Sequence, residues 1–490
     1  MSEIIKPRKT VYLHYAIWAV IQIVIWNIPA SEPLTTTGMH TLAAFVGLIY
    51  GMCFMPSEFG LYTLGCIVVM GFSGVFGGVA DSFNTGLGTG TWPMMFMILL
   101  FSAVITATGL MVFFARKLVS MKLTAGKPWN LTMVLLIGSF IFGLFINSMI
   151  VLIVLVQLLF SICKQVNMKG NLWTCLMIAS INVVGMFAMN IMPFQLVNAA
   201  TFGILAAYDP TMTFQTVSVP HMVYNFILNI IIIIVCFLII RLTCGKSVDD
   251  LKNYVPEKNE EKMSKDMKIS LWILIVFVIL QIIALFPSGP VVDIINTFGM
   301  HGMCALACIA AIFIRRKDGS PFLSFDEIAK KGVLWGHLMQ VCALVCVSSA
   351  IINDGTGIIN WMLQLVKPLT DGAGAWGCFA ILLAACAVLT NFTDNMAVSF
   401  MAVPLVYVLG IEQGIHPAGF LSIVIPAFEA AFLLPSSLLN TEYVFQLEPT
   451  GYVKSKTLII YALPIIIITW IINVTLGWAF QPWFASFIGV

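Results

Sequence analysis

A run of polar residues, Thr390-Asn391-Phe392-Thr393-Asp394-Asn395-Met396, lies deep inside apolar sequence. The segments 377–389 and 400–410 on either side of it are almost wholly hydrophobic. An acid and two amides at membrane depth cost free energy, and such residues usually mark the path of a substrate or an ion. A second run of this kind, Phe145-Ile146-Asn147-Ser148-Met149, interrupts another apolar segment. We therefore expect a binding site within a membrane.

The side chains at these runs suit an anionic substrate together with a cation. Small polar side chains can donate or accept hydrogen bonds, and backbone amides at a helix N-terminus point towards an anion. A hard cation such as Na⁺ prefers oxygen ligands, which amide side chains and unwound carbonyls supply. We expect the substrate to contact Asn147, Ser148, Thr393, Asn395 and Ser437. We expect Na⁺, as the coupling ion, at Asn147, Asn198, Asp394, Asn395 and Asn440.

Two acids within this apolar sequence leave several roles open. Asp394 is compatible with a Na⁺ ligand or coupling carboxylate, with a protonated group, or with a structural N-cap of a helix. Glu429, which precedes Pro435, is compatible with a proton site or with a hydrogen-bonded structural acid. No Lys or Arg falls in the polar breaks of the predicted topology. The positive charge near a bound anion would then come from helix N-termini, each worth about half an elementary charge, and from a bound cation.

The elements that position these residues are membrane helices. Hydrophobic residues make up 60% of the chain and charged residues only 9%, whereas a soluble domain carries about 25% charged residues. Apolar runs recur from end to end that reach the ~20 residues needed to cross a bilayer. We expect an all-α polytopic membrane protein with about 11 transmembrane helices and two re-entrant hairpins in an inverted repeat.

Each hairpin is expected to enter the membrane and return to the same side. The segment 128–163 is broken near Asn147 into two halves that look too short to span comfortably, and basic residues flank both ends. Basic flanks stay in the cytoplasm, so a re-entrant hairpin explains this segment better than one crossing does. The segment 373–410 is expected to enter from the opposite side. Only Lys367, among 24 Lys and Arg residues, then falls outside. We expect the plasma membrane, with a cytoplasmic N-terminus and an external C-terminus.

Matching features in the two halves of the chain indicate the internal repeat. Each half has a broken hairpin followed by a broken helix, and a Pro precedes an Asn by five residues in both breaks, at Pro193 and Pro435. Inverted repeats with broken helices place substrate and ion sites near the midplane of the membrane. The Gly-rich run 86–90 is expected to be a flexible connector. The expected division is an N-terminal helix in 1–37, a first repeat in 38–243 with hairpin 128–163, a cytoplasmic linker in 244–268, and a second repeat in 269–490 with hairpin 373–410.

At these motifs the chain resembles the divalent anion:sodium symporter family, the sodium-coupled di- and tricarboxylate carriers of the ion transporter superfamily. That family carries a Ser-Asn-Thr motif at each hairpin tip with a proline nine residues after the Asn, and Pro404 follows Asn395 at that spacing here. The second tip departs from the motif, because Asp394 and Met396 replace the Ser and the Thr. The resemblance covers most of residues 90–480. It implies a homodimer in which each protomer pairs a scaffold domain with a transport domain that moves as an elevator.

These features together predict a sodium-coupled elevator-type symporter of a small organic anion, a di- or tricarboxylate. One alternative is a cation/proton antiporter of the same superfamily that uses Asp394 and Glu429. Another is a non-transporting membrane protein or channel. No nucleophile–base pair, HExxH motif or P-loop is apparent, so we do not expect an enzyme. The expected partners are the anion, Na⁺, the lipid bilayer and a second copy of the chain, with no nucleic acid and no cofactor beyond the coupling ion.

Overall fold

The computed structural model describes residues 8–55, 58–88, 90–256, 262–284, 289–316, 318–370, 372–393, 395–435 and 437–489. Helices dominate these residues, which confirms the predicted all-α fold. Their order is α1 (Arg8–Trp26), α2 (Thr36–Phe54), α3 (Phe59–Phe72), α4 (Val79–Gly88), α5 (Thr91–Thr106), α6 (Leu110–Val119), α7 (Pro128–Phe145), α8 (Ser148–Gln165), α9 (Leu172–Met189), α10 (Leu196–Tyr208), α11 (Phe214–Cys244), α12 (Lys265–Ile283), α13 (Pro290–Phe313), α14 (Phe325–Gly332), α15 (Trp335–Ile352), α16 (Ile358–Thr370), α17 (Gly374–Leu389), α18 (Asn395–Gln413), α19 (Pro417–Phe428), α20 (Leu439–Gln446), α21 (Ser455–Ile472) and α22 (Trp478–Ile488).

Many of these helices have the length and composition of membrane spans. Within the described ranges, 10 helices are long and apolar enough to cross a membrane, or 11 if the bent pair of α4 and α5 is one span. Two of them are α7 and α8, with 18 residues each, so the expectation that these halves are too short was wrong. The break between them covers only Ile146 and Asn147, and nearly all of the segment stays helical. That the segment re-enters the membrane stays a prediction.

The helices of the two halves pack in corresponding pairs. We call α7 and α8 hairpin 1, and α17 and α18 hairpin 2. The second arm of each hairpin packs against a short helix of the other half: α8 against α20, and α18 against α10. In the same way α9 packs against α21, and α19 packs against α11. An internal repeat would produce such paired contacts. The boundaries of the two repeats stay predictions.

Two helices break inside the bundle, at residues 190–195 (the first break) and at 429–435 and 437–438 (the second break). Asn190 caps the end of α9 and Glu429 caps the end of α19, with nearly equal backbone angles (φ −74°, ψ −7° and φ −79°, ψ −8°). We expected the second break near Pro435, with Glu429 inside a helix. The helix instead ends before Glu429, although 429–434 contains good helix formers.

Amide side chains join each hairpin to the break in its own half. In hairpin 2, Asn391 Nδ2 donates to the carbonyls of Ala387 (2.7 Å) and Ala430 (2.8 Å), and its Oδ1 accepts from the Leu433 N–H (2.8 Å). In the first half, Gln195 Nε2 donates to two carbonyls at the end of α7, both at 3.0 Å. These bonds replace the helical partners that a break removes, which explains why the second break begins early.

Close packing explains one further difference from the sequence analysis. Gly86 was expected in a flexible connector, but it lies in α4. A Cβ atom at Gly86 would lie 2.5 Å from Sγ of Cys342 on α15. This glycine therefore allows α4 to approach α15 closely, which is a packing role that helix propensity does not reveal.

The described part of the predicted linker 244–268 packs against the base of hairpin 1. A 3₁₀ helix, Gly245–Asn253, follows α11 directly. The Gly126 N–H, just before α7, donates to the carbonyl of Tyr254 at 2.9 Å. Gln165, at the end of α8, donates through Nε2 to the carbonyl of Val255 at 2.7 Å. Both arms of hairpin 1 are thus held at their outer ends by this segment.

Replacing Asn391 with Ala should lower the stability of the protein strongly. The change leaves the Ala430 carbonyl and the Leu433 N–H without these bonds, and each buried unsatisfied group costs about 1–3 kcal/mol. We expect a loss of about 2–4 kcal/mol, seen as a lower midpoint of thermal unfolding in detergent. Asn27→Ala is the matched control, because Asn27 also donates to a carbonyl four residues earlier but is exposed. Equal midpoints for the two variants would contradict this role of Asn391.

Candidate functional site

Two helix N-termini meet where the tip of hairpin 1 contacts the second half. Nδ2 of Asn440 donates to Oγ of Ser148 at 2.8 Å, and both side chains are buried. Ser148 is the first residue of α8, and Asn440 lies in the first turn of α20. Each helix N-terminus carries a partial positive charge. At α8 the first N–H groups already have partners, since the Ser148 N–H donates to Sδ of Met189 and the Met149 N–H donates to Oδ1 of Asn147. The Ser148–Asn440 pair therefore lies where the backbone favours an anion.

A buried acid lies at the tip of hairpin 2. Nδ2 of Asn395 donates to Oε1 of Glu429 at 2.7 Å, and Glu429 is only 2% exposed. Asn395 begins α18, so a negative charge on Glu429 lies beside a positive helix end. Glu429 also caps the C-terminus of α19, whose partial charge is negative and favours a cation. The Asn395–Glu429 pair thus has the groups to hold a cation or a proton.

The second break connects these two pairs. The Ala431 N–H donates to the carbonyl of Glu429 at 2.8 Å. The carbonyl of Ala431 in turn accepts from Ser437 Oγ at 3.1 Å and from Thr441 Oγ1 at 2.6 Å. Ser437, which we expected to bind substrate, donates its hydroxyl to carbonyls of the break itself. Hydrogen bonds therefore connect Glu429 through Ala431 to Thr441, the residue after Asn440 of the Ser148–Asn440 pair.

Other residues that we expected at the tips have local partners. Asn147 caps α8, since its Oδ1 accepts from the Met149 N–H at 2.9 Å. Thr393 Oγ1 accepts from Sγ of Cys53 on α2 at 3.1 Å. Asp394 lies outside the described residues. The structure thus joins Ser148 with Asn440 and Asn395 with Glu429, and it gives Asn147 and Thr393 bonds elsewhere.

Asn198 holds the first break and borders a large cavity. Its Nδ2 donates to the carbonyls of Asn190 and Met192, both at 2.9 Å. Its buried Oδ1 has no hydrogen-bond partner among the described residues. A cavity of about 460 Å³ lies beside it, lined by parts of α5, α10, α13 and α15 that include Ser348. This volume is in the range of small-molecule sites, ≈ 300–1,000 Å³.

Sequence reasoning missed a polar stripe on α11 that supports the first break. His221, Asn225 and Asn229 are fully buried and recur every four residues, so they lie on one face of the helix. Nε2 of His221 is 2.6 Å from the carbonyl of Asn190, and Asn229 Nδ2 donates to the carbonyl of Phe187 at 2.8 Å. Their helical spacing inside an apolar helix was the signal that would have revealed them.

Comparison with known proteins agrees with this architecture. The fold is similar to the crystal structure of the Alcanivorax borkumensis YdaH transporter, with a TM-score of 0.51 and 14% sequence identity. The match covers 99% of this chain and 98% of that one. No curated protein sequence matches the chain. Residues 21–425 match the family model described as citrate transporter, which confirms the resemblance to symporters of the ion transporter superfamily. The chain is therefore a multi-pass membrane protein that belongs to the citrate transporter family.

Proposed function

We propose that the protein is a sodium-coupled symporter of a small organic anion, a di- or tricarboxylate. The observation that carries the proposal is the meeting of two helix N-termini at the Ser148–Asn440 pair, with the Asn395–Glu429 pair at the other end of the second break. The first pair offers positive helix ends to carboxylates, and the second offers an acid to a cation. The matching family is named for citrate, a tricarboxylate, which supports this class of substrate.

Coupling between the two ligands follows from their charges. The side chains of Ser148, Asn440 and Asn395 are neutral. Two or three carboxylates bound beside them would repel one another and an ionised Glu429 carboxylate. A cation at Glu429 offsets this repulsion and so favours the anion. By linkage, the anion favours the cation by the same factor. This mutual dependence is the physical basis of symport.

A proton is the second candidate for the coupling ion, and the burial of Glu429 favours it. An ionised carboxylate in an apolar environment is costly unless it is paired, and protonation removes the charge. The hydrogen bond from Asn395 is compatible with either form, because a protonated carboxyl keeps one oxygen that can accept. A cation/proton antiporter would use the same acid without an organic anion.

An elevator movement is part of the proposal. The two polar pairs tie both hairpins to the second break, so hairpins and broken helices would move as one body. The cavity of about 460 Å³ is lined by α10, in this body, and by α13 and α15, which we assign to the scaffold. Open space at that boundary is compatible with sliding of one domain past the other. We propose that the scaffold also forms the contact of a homodimer, as in the family that the sequence resembles.

The direct test is uptake of labelled citrate and smaller dicarboxylates by proteoliposomes. We expect saturable uptake that a Na⁺ gradient drives above equilibrium. Replacing Na⁺ with K⁺ at constant pH should abolish this accumulation, because the cation that offsets the charge is then missing. Accumulation driven by a pH gradient alone would reject sodium in favour of the proton. Proton movement driven by Na⁺ without any organic anion would instead identify an antiporter.

Ser148→Ala and Asn440→Ala should each weaken anion binding. Each removes one partner of the 2.8 Å hydrogen bond beside the two helix N-termini. We expect KM for the anion to rise about tenfold, the effect of ~1.4 kcal/mol. The double variant should be little worse than either single one, because both changes break the same interaction. Ser120→Ala is the control, since Ser120 Oγ donates to the Arg116 carbonyl at an exposed helix end. Additive losses in the double variant would show that the pair does not act as a unit.

Glu429→Gln should separate coupling from folding. The amide oxygen can still accept from Asn395, but the site can no longer carry a negative charge. We expect accumulation against a gradient to fall by at least about tenfold, because the bound cation loses its charged partner. Hydrogen bonds to charged groups are worth about 1.5–3 kcal/mol. Exchange of internal for external anion should persist. Glu442→Gln is the control, because Glu442 accepts from Gln446 on the surface. Unchanged cation dependence in Glu429→Gln would show that Glu429 serves only as a structural cap of α19.

A further inference from the structure

A long apolar groove lies between hairpin 1 and two neighbouring helices. Its volume is about 490 Å³, and α6, α7 and α12 form its walls. Among the described residues, the lining contains a single charged side chain, Lys117, and is otherwise apolar. Ile141 of α7, Met121 after α6 and Ile279 of α12 border it and are 41%, 50% and 49% exposed, so the groove is open to the surroundings of the bundle.

The groove carries its charge on α6. Lys117 is in the last turn of α6, between the lining residues Phe114 and Met121. The lining on α12 runs from Leu271 to Ile279, a rise of ~12 Å along the helix axis. On α7 the lining ends at Phe145, the residue before the break at the tip of hairpin 1. The groove thus carries one cationic side chain and reaches the residue before the hairpin tip.

We propose that this groove binds one acyl chain of an anionic phospholipid, with the phosphodiester at Lys117. An amphiphile with a negative head and an apolar tail matches an apolar groove whose lining includes one lysine. Basic pockets between membrane helices on the cytoplasmic side commonly hold anionic head groups. The predicted topology puts Lys117 and the exposed Lys122 on that side. The inner leaflet would therefore supply the lipid.

The position of the groove gives the lipid a regulatory effect. α7 belongs to hairpin 1, which we assign to the moving body, whereas α12 packs against α5 and α13. A lipid chain in the groove contacts both parts at once. It would change how readily hairpin 1 moves relative to α12, and so change the rate of transport. This consequence depends on the proposed function, whereas the binding of lipid does not.

The test measures bound phosphatidylglycerol and phosphatidylcholine by native mass spectrometry of the full-length protein. The wild type should retain phosphatidylglycerol selectively. Lys117→Gln removes the positive charge of the groove, and Ile275→Trp fills the groove. Both should reduce retention of phosphatidylglycerol about tenfold, as expected for the loss of one good contact of ~1.4 kcal/mol. Lys122→Gln and Val276→Trp are the matched controls, because neither residue lines the groove.

Retention that is equal for the two lipids, or unchanged in both test variants, would overturn the proposal. So would a change of oligomeric state in Ile275→Trp with full lipid retention, since the groove would then accommodate a second copy of the chain. Thermal unfolding of each variant in detergent confirms that it is folded. The mass measurement needs no transport, so its failure is distinct from a failure of the uptake assay. If both the lipid site and the proposed transport function are correct, the rate of uptake should differ between vesicles with phosphatidylglycerol and vesicles of phosphatidylcholine alone. Lys117→Gln should remove that difference.

Discussion

Every backbone group that a broken helix leaves without its helical partner needs another partner inside the protein, because the hydrocarbon core offers none. Amide side chains supply such partners in both halves of this chain. Gln195 binds carbonyls at the end of α7, Asn198 binds two carbonyls of the first break, and Asn391 binds a carbonyl and an N–H of the second. The first role of these polar residues in the apolar sequence is therefore to stabilise the breaks, whether or not a ligand is bound.

This constraint explains which parts of the structure the sequence could predict. The tips of both hairpins stand out as polar runs in apolar segments, and the helices do break there. The start of the second break does not stand out, because 429–434 favours a helix. The bonds that end α19 come from Asn391, which is 39 and 42 positions from its partners Ala430 and Leu433. Local propensity cannot reveal an interaction so distant in sequence.

The candidate site was predictable to a similar extent. Ser148, Asn395 and Asn440 were identified by residue type, and they do form buried pairs. Ser437 was expected to bind substrate, but its hydroxyl donates to the carbonyl of Ala431 within the second break. The spacing of residues in the sequence does not predict this contact. The polar stripe that includes His221 on α11 is a different case. Its helical period is visible in the sequence, but the sequence does not show that the stripe supports the first break.

The corresponding ends of α9 and α19 differ in one respect that bears on coupling. Asn190 and Glu429 occupy them with nearly the same backbone angles, yet one is neutral and the other is an acid. An internal repeat alone would give two equivalent ion sites, but only the second break offers a charge from its helix end. The same break reaches the Ser148–Asn440 pair through Ala431 and Thr441. In the proposed symporter, anion and cation would bind at groups that these hydrogen bonds connect, so a movement that carries one would carry the other.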